Sequence, residues 1–364
     1  MLLQGLGVHS LTLLTNQQMN NQKVPIPMSN WSMYGLQVLS NQPIRGLSQS
    51  NSASAPDLYV NLGFLPEWFN KTLDQEARPW YASAHQGDGG VPNLRIWRLA
   101  GGHFYWLRYA DGTHYVVNNI GTRIWSCWPE SISPEDAISC LLGPVMGFVL
   151  LLRGIICLHA SSIAVAGRAI AIAGPSQAGK STIAAAFAKL GYPVLSEDVV
   201  TLDELNGRFL VHPGYARIRL WPDSAEALYG SADVLPRLAP TWDKRYVDLT
   251  EDSYQFQKSP LPLAAAYILE ERALDCAAFR IESLSTREAL LSLIGNTYAT
   301  NLMDRKMRGR EFEILRRVIA DVPIRRVFPP NDYESLPQLC NMIVEDFENL
   351  TESVSPAPTE QPKK

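Results

Sequence analysis

Between residues 58 and 129, apolar and aromatic residues come in short runs broken by polar ones, the texture of strands that bury one face. The segment FYWLRYADGTHYVV (104–117) sets Asp111-Gly112 between two such runs, and Asp-Gly suits the positive φ of a tight hairpin turn. Trp97, Phe104, Trp106 and Tyr115 read as the core of this hairpin region rather than as a peptide groove. A sheet here would still offer an edge to an extended peptide. Ser133-Pro134-Glu135-Asp136 then supplies a serine cap, a first-turn proline and acids at the positive dipole end, which together start a helix. It leads into the uncharged run AISCLLGPVMGFVLLL (137–152), which is short for a bilayer span and interrupted by Gly143, Pro144 and Gly147. We read it as a buried core helix bridging two halves.

Beyond it, Leu158–Ala166 and Ala169–Ala173 form two apolar strand-like runs around a Gly167-Arg168 turn, and STIAAAFAKLG (181–191) is helical. The next apolar run, from Tyr192, is broken by Glu197-Asp198. Ser285-Thr-Arg-Glu288 is a capping box opening an amphipathic helix through about Ala299, and Glu311 to Ala320 supports another. Residues 1–54 are rich in Asn, Gln and Ser, too polar to order themselves, and predict a flexible leader; the proline-rich stretch 351–364 predicts a flexible tail. The expected organisation is therefore a leader (1–54), a small α+β domain with its linking helix (55–153), an α/β domain (154–350) and a tail (351–364).

Composition narrows the setting. A chain of 364 residues that is 46% hydrophobic can bury a sizeable core, most simply in two domains. Its net charge of −4 carries no basic stripe, which argues against a nucleic-acid partner. Cys127, Cys140, Cys157, Cys276 and Cys340 show no CxxC spacing and fit reduced thiols. With no basic-then-apolar leader segment and no membrane span, the expected compartment is the cytoplasm.

Chemistry concentrates in AIAGPSQAGKST (171–182). Gly174 and Gly179 let the backbone curl so that N–H groups converge, with the following helix dipole, on a phosphate; Pro175, Ser176, Gln177 and Ala178 complete the cradle. Lys180 would reach the β- and γ-phosphates, Ser181 would ligate Mg²⁺, and Thr182 closes the motif. The helical signature of transporter ATPases and the NKxD base reader of GTPases are both missing. One helix later, Glu197-Asp198 offers one acid to take a hydroxyl proton and one to assist the metal. His159 lies one hairpin upstream, and Lys244-Arg245 could clamp phosphate or an acidic acceptor.

The run CLHASSIAVAGRAIAIAGPSQAGKSTIAAAFAKLGYPVLSEDVVTLDE resembles the C-terminal domain of HPr kinase/phosphorylase, and more closely the HPr-kinase-like proteins among tailoring enzymes of lasso peptide pathways. The resemblance is good over about residues 154 to 230. It implies an α/β P-loop kinase domain of HPr-kinase/phosphoenolpyruvate-carboxykinase-like type behind the small α+β domain. It also implies catalytic roles for His159, Lys180, Glu197 and Asp198, and metal binding by Ser181 and Glu197. HPGYARIRLWPDS is similar to a run of the tailoring-type proteins and would bring Arg217 and Arg219 near the site; HPr kinases carry a glutamate in an EIRG signature there, where arginine stands in this chain. The expected activity is transfer of the γ-phosphoryl of ATP, with Mg²⁺, to a serine of a peptide or small protein. A small-molecule alcohol as acceptor and a slowly hydrolysing nucleotide switch are the alternatives, and a homo-oligomer is compatible with all three.

Overall fold

The computed structural model describes residues 28–73, 78–87, 90–271, 280–329 and 332–352. It is a mixed α/β structure with two nine-stranded sheets and one of three strands. The first sheet runs, edge to edge, Ser48–Gln49, Ser29–Met33, Leu36–Ser40, Leu58–Leu62, Arg123–Cys127, His114–Asn118, Phe104–Tyr109, Leu94–Leu99 and Tyr81–Ala82. The Asp111-Gly112 hairpin is formed: Gly112 lies at φ +88° and Asp111 Oδ1 accepts from Thr113 N at 2.7 Å. Tyr115 points into the inner core, while Trp97, Phe104 and Trp106 build a second cluster on the outer face beneath Phe64, Leu65 and Trp68.

Three of these strands lie where a leader was expected, so the boundary at residue 54 is corrected. Trp31, Met33, Leu36 and Val38 are buried while the polar residues between them take the other face. A composition averaged over 54 residues hides that two-residue period. Residues 1–27 lie outside the described residues.

The inner face of the sheet packs on a helix running Pro134–Cys140 and Met146–Leu152 through a π-helical turn, Leu141–Val145, that contains Pro144. Its start has the expected serine cap and is a full capping box, Ser133 Oγ accepting from Asp136 N and Asp136 accepting from Ser133 N. Pro134–Leu152 makes 19 residues and contains an 18-residue stretch of mean hydropathy 1.7, long and apolar enough to cross a bilayer, because the first turn extends the uncharged run; 78% of that stretch is buried inside the protein. Cys157, Val199, Tyr215 and Leu302, from the second half of the chain, join the same core. The two halves thus share one apolar interior across this helix.

The second sheet orders Ile156–Leu158, Val200–Leu205, Arg208–Val211, Leu261–Leu269, Arg168–Ala173, Ala160–Val165 and Val194–Ser196, with Ile324–Phe328 also beside Leu261–Leu269 and Arg280–Ser283 beyond it. Arg168–Ala173, Leu261–Leu269 and Ile324–Phe328 are parallel and divide their side chains between two helical layers, with one register shift between Ala169 and Ile170. Ile170 and Ile172 face helices Lys180–Lys189 and Leu336–Glu352; Ala169, Ala171 and Ala173 face Thr286–Gly295 and Arg305–Asp321.

Three helix boundaries differ from expectation, the helix expected from Glu311 beginning about one and a half turns earlier, at Arg305. The helix capped by Ser285 and Glu288 stops at Gly295 rather than near Ala299, because the next residues pair back on the strand before the loop: His159 N donates to Asn296 O at 2.7 Å and Tyr298 N to Cys157 O at 2.8 Å. The last helix continues through Glu352, two residues into the expected tail; residues 353–364 lie outside the described residues. Cys127, Cys140, Cys157 and Cys340 form no disulfide, and Cys276 lies outside the described residues.

Candidate active site

Strand Arg168–Ala173 ends at Gly174, and the chain curls through Pro175–Ala178 before Gly179, in the left-handed region, caps helix Lys180–Lys189. Lys180 folds back over this loop, its Nζ donating to Gly174 O and Pro175 O at 2.9 Å each. Burial lowers the lysine's pKa, and the nearby Asp198 and Glu197 charges oppose that shift. Ser176, Gln177, Gly179, Lys180, Ser181 and Thr182 line a cleft of about 660 Å³, whereas Ala178 is buried in the core.

The acid pair lies in the same cleft. Ser181 Oγ donates to Glu197 Oε1 at 2.7 Å; Glu197 Oε2 accepts from Tyr215 OH at 2.9 Å and from Arg219 Nε at 3.0 Å. Asp198 meets Arg219 NH2 at 2.8 Å, His159 Nε2 at 3.3 Å and Tyr298 OH at 3.2 Å. Burial by itself would raise the Asp198 pKa, but the Arg219 guanidinium and His159 overcome it and hold the carboxyl well below the usual carboxylate range. The backbone is strained at the same point. Asp198 has φ +71° and Val199 N donates to Glu197 O at 2.9 Å, a γ-turn of the rare positive-φ kind. Ser196 Oγ, donating to Val199 O at 2.5 Å, braces it.

Of the four basic residues expected here, the structure brings two into the cleft. Arg219 lines it but is spent on both acids, and Lys244 reaches it from the neighbouring strand. Arg217 is corrected: it stacks on Tyr246 with its guanidinium carbon 4.1 Å from the ring centroid and lies 3.9 Å from Asp248, on the side facing the first sheet. Arg245 is also corrected, since consecutive residues of strand Trp242–Asp248 point to opposite faces. With Lys244 in the cleft, Arg245 turns away and donates to Ala232 O, Asp243 O and Asp233.

The contacts by which Tyr298, Tyr215, Trp221 and the linking helix build this cleft escaped the sequence reading. Tyr298 reaches Asp198 from the loop after Gly295, its phenol pushed up by burial and by Asp198 so that it stays a donor. It fits because position 147 is glycine: a Cβ there would lie 2.3 Å from the Tyr298 ring. One turn earlier a Cβ on Gly143 would come within 3.0 Å of Asp198 Oδ2. No local pattern marks these contacts, which join residues far apart in the chain.

Arg219 is the one guanidinium between two buried carboxylates. Arg219→Ala is expected to lower stability by about 3–5 kcal/mol by leaving both uncompensated. Urea unfolding measures this, and an unchanged midpoint would refute the clamp.

No protein-family model and no curated protein matches the chain. Among solved structures, the Hpr(Ser) kinase/phosphatase from Coxiella burnetii aligns with 54% of this chain and 98% of its own, at 14% identity and a TM-score of 0.28. Identity and score are both too low to transfer an activity, so the chemistry below is built on the chain's own residues.

Proposed function

We propose that the chain is an ATP-dependent phosphotransferase of HPr-kinase-like type, moving the γ-phosphoryl group to a serine hydroxyl of a peptide or small protein. The observation that carries this reading is the meeting, in one cleft, of a glycine loop folded around Lys180 with a carboxylate pair, one member of which bonds the loop serine while the other is held ionised. Backbone N–H groups at the start of helix Lys180–Lys189, with its dipole, suit an anionic polyphosphate. Lys180 would exchange its loop carbonyls for phosphate oxygens.

Ser181 and Glu197 fit a magnesium site: a hydroxyl and a carboxylate oxygen 2.7 Å apart are hard oxygen donors, able to share one ion whose other positions water and phosphate fill. Mg²⁺ bound there would neutralise charge on the β- and γ-oxygens. Among the described residues, no group of three or more His, Cys, Asp or Glu side chains is arranged to hold a metal ion, so the water and phosphate ligands would complete the coordination.

Asp198 takes the acceptor's proton as the new O–P bond forms and the bond to the departing ADP breaks. Its depressed proton affinity keeps it ionised before reaction; a triphosphate's negative charge nearby raises that affinity again. In a loose transition state the hydroxyl proton leaves late, so a weak base suffices. His159, against the other carboxylate oxygen, steadies the acid and offers a route for the proton to solvent. The peptide acceptor is assigned on the likeness of HPGYARIRLWPDS to the tailoring-type run, and an ATP donor with reduced thiols fits the cytoplasm.

The test is single-turnover transfer from γ-labelled ATP to serine peptides. We expect label on a serine, dependent on Mg²⁺ or Mn²⁺. Undiminished transfer in excess chelator removes the metal role, and release of labelled phosphate with no acceptor labelled makes the protein a hydrolase.

A further inference from the structure

Past the loop, the cleft runs on to Trp221, 53% exposed although it follows the buried Arg219 and Leu220. A tryptophan with half its surface in water inside a cleft is an unspent apolar face, and three contacts hold it in place. Lys244 Nζ stands 4.7 Å from the indole centroid, a cation–π contact that stiffens the ring. Pro222 follows at once and opens helix Pro222–Tyr229, fixing the backbone on the C-terminal side. Ser224, in the first turn of that helix, is bonded hydroxyl to hydroxyl with Thr182 at 3.0 Å, which ties the segment to the glycine-loop helix.

The Thr182 tie gives the cleft a direction. Ser181, bonded to Glu197, marks the end of the loop where the transferable phosphoryl belongs. Thr182 is the next residue along the helix, so Trp221–Ser224 lies on the helix side of the loop. A nucleotide whose terminal phosphates faced Lys180 and Ser181 would have room for its nucleoside where the same cleft reaches Trp221.

We propose, resting on the phosphotransferase reading above, that the Trp221 indole is the stacking platform for the nucleobase of the donor nucleotide. Stacking uses the π face that every base has rather than a hydrogen-bonding edge, in keeping with a chain that carries no NKxD base reader. Lys244 then has two tasks, bracing the ring and adding positive charge to the cleft.

Calorimetric titration of ADP and of inorganic tripolyphosphate, which lacks a base, into the parent, Trp221→Ala, Trp221→Phe and Lys180→Ala proteins tests this. Trp221→Ala is expected to weaken ADP roughly 5- to 150-fold, the range for loss of one base–aromatic stack, and to leave tripolyphosphate binding unchanged. Trp221→Phe should recover most of the loss. Unchanged ADP affinity in Trp221→Ala overturns the assignment, as does an equal loss for both ligands, which would mean a disturbed loop. A Trp221→Ala effect confined to the KM of the peptide acceptor would move the residue to the acceptor's side and overturn it too. If Lys180→Ala leaves both ligands' affinities intact, the donor reading itself has failed, independently of Trp221.

Discussion

Lys180→Ala is expected to fold like the parent and to transfer no phosphate. The side chain sits on the loop rather than in either apolar core, and its two bonds are to the loop carbonyls of Gly174 and Pro175. What disappears is the only charge folded over the loop, aimed where the β- and γ-phosphates would lie. Circular dichroism should show the parent spectrum while labelled transfer falls to background. Full activity in the correctly folded variant would remove the glycine loop from the mechanism.

Asp198→Asn is the second large effect. Asparagine matches aspartate in shape and is among the few residues at ease with positive φ, so the strained γ-turn at +71° should survive. Charge and basicity are lost, and single-turnover transfer should slow by about a hundred- to ten-thousand-fold while ATP still binds. His159→Ala, acting on the acid from outside, should cost less. A pH signature accompanies the change. Because the folded Asp198 pKa is depressed, its carboxylate contributes stability that is present above the ordinary carboxylate pKa of about 4 and is lost as pH falls through the folded value. Acid unfolding of the parent should therefore be steeper than that of Asp198→Asn. Parent-like transfer by Asp198→Asn would defeat the proposed mechanism at its centre.

Local patterns were legible in the sequence where one stretch of chain determines the outcome. The serine cap at Ser133, the capping box at Ser285 and the Asp111-Gly112 turn each depend on neighbours a few residues away, and each has the expected form. The first strands were hidden because their apolar residues alternate within a polar composition. Arg219 was placed near the site, but its engagement with both acids depends on how strand Arg217–Leu220 packs against the segment carrying Glu197, which no spacing reveals. The same holds for Tyr298, a hundred residues beyond Asp198 in sequence.

The glycines of the linking helix bear on how the protein can be dismantled. With Gly147 beneath the Tyr298 ring and Gly143 against Asp198, the helix that completes the first half is also the rear wall of the second half's acid. The N-terminal half is therefore not a detachable recognition module. Severing the chain near residue 153 would strip away that wall and uncover the apolar interior the halves share. Any boundary chosen for engineering belongs before Ser29, with the linking helix kept beside the acid it supports.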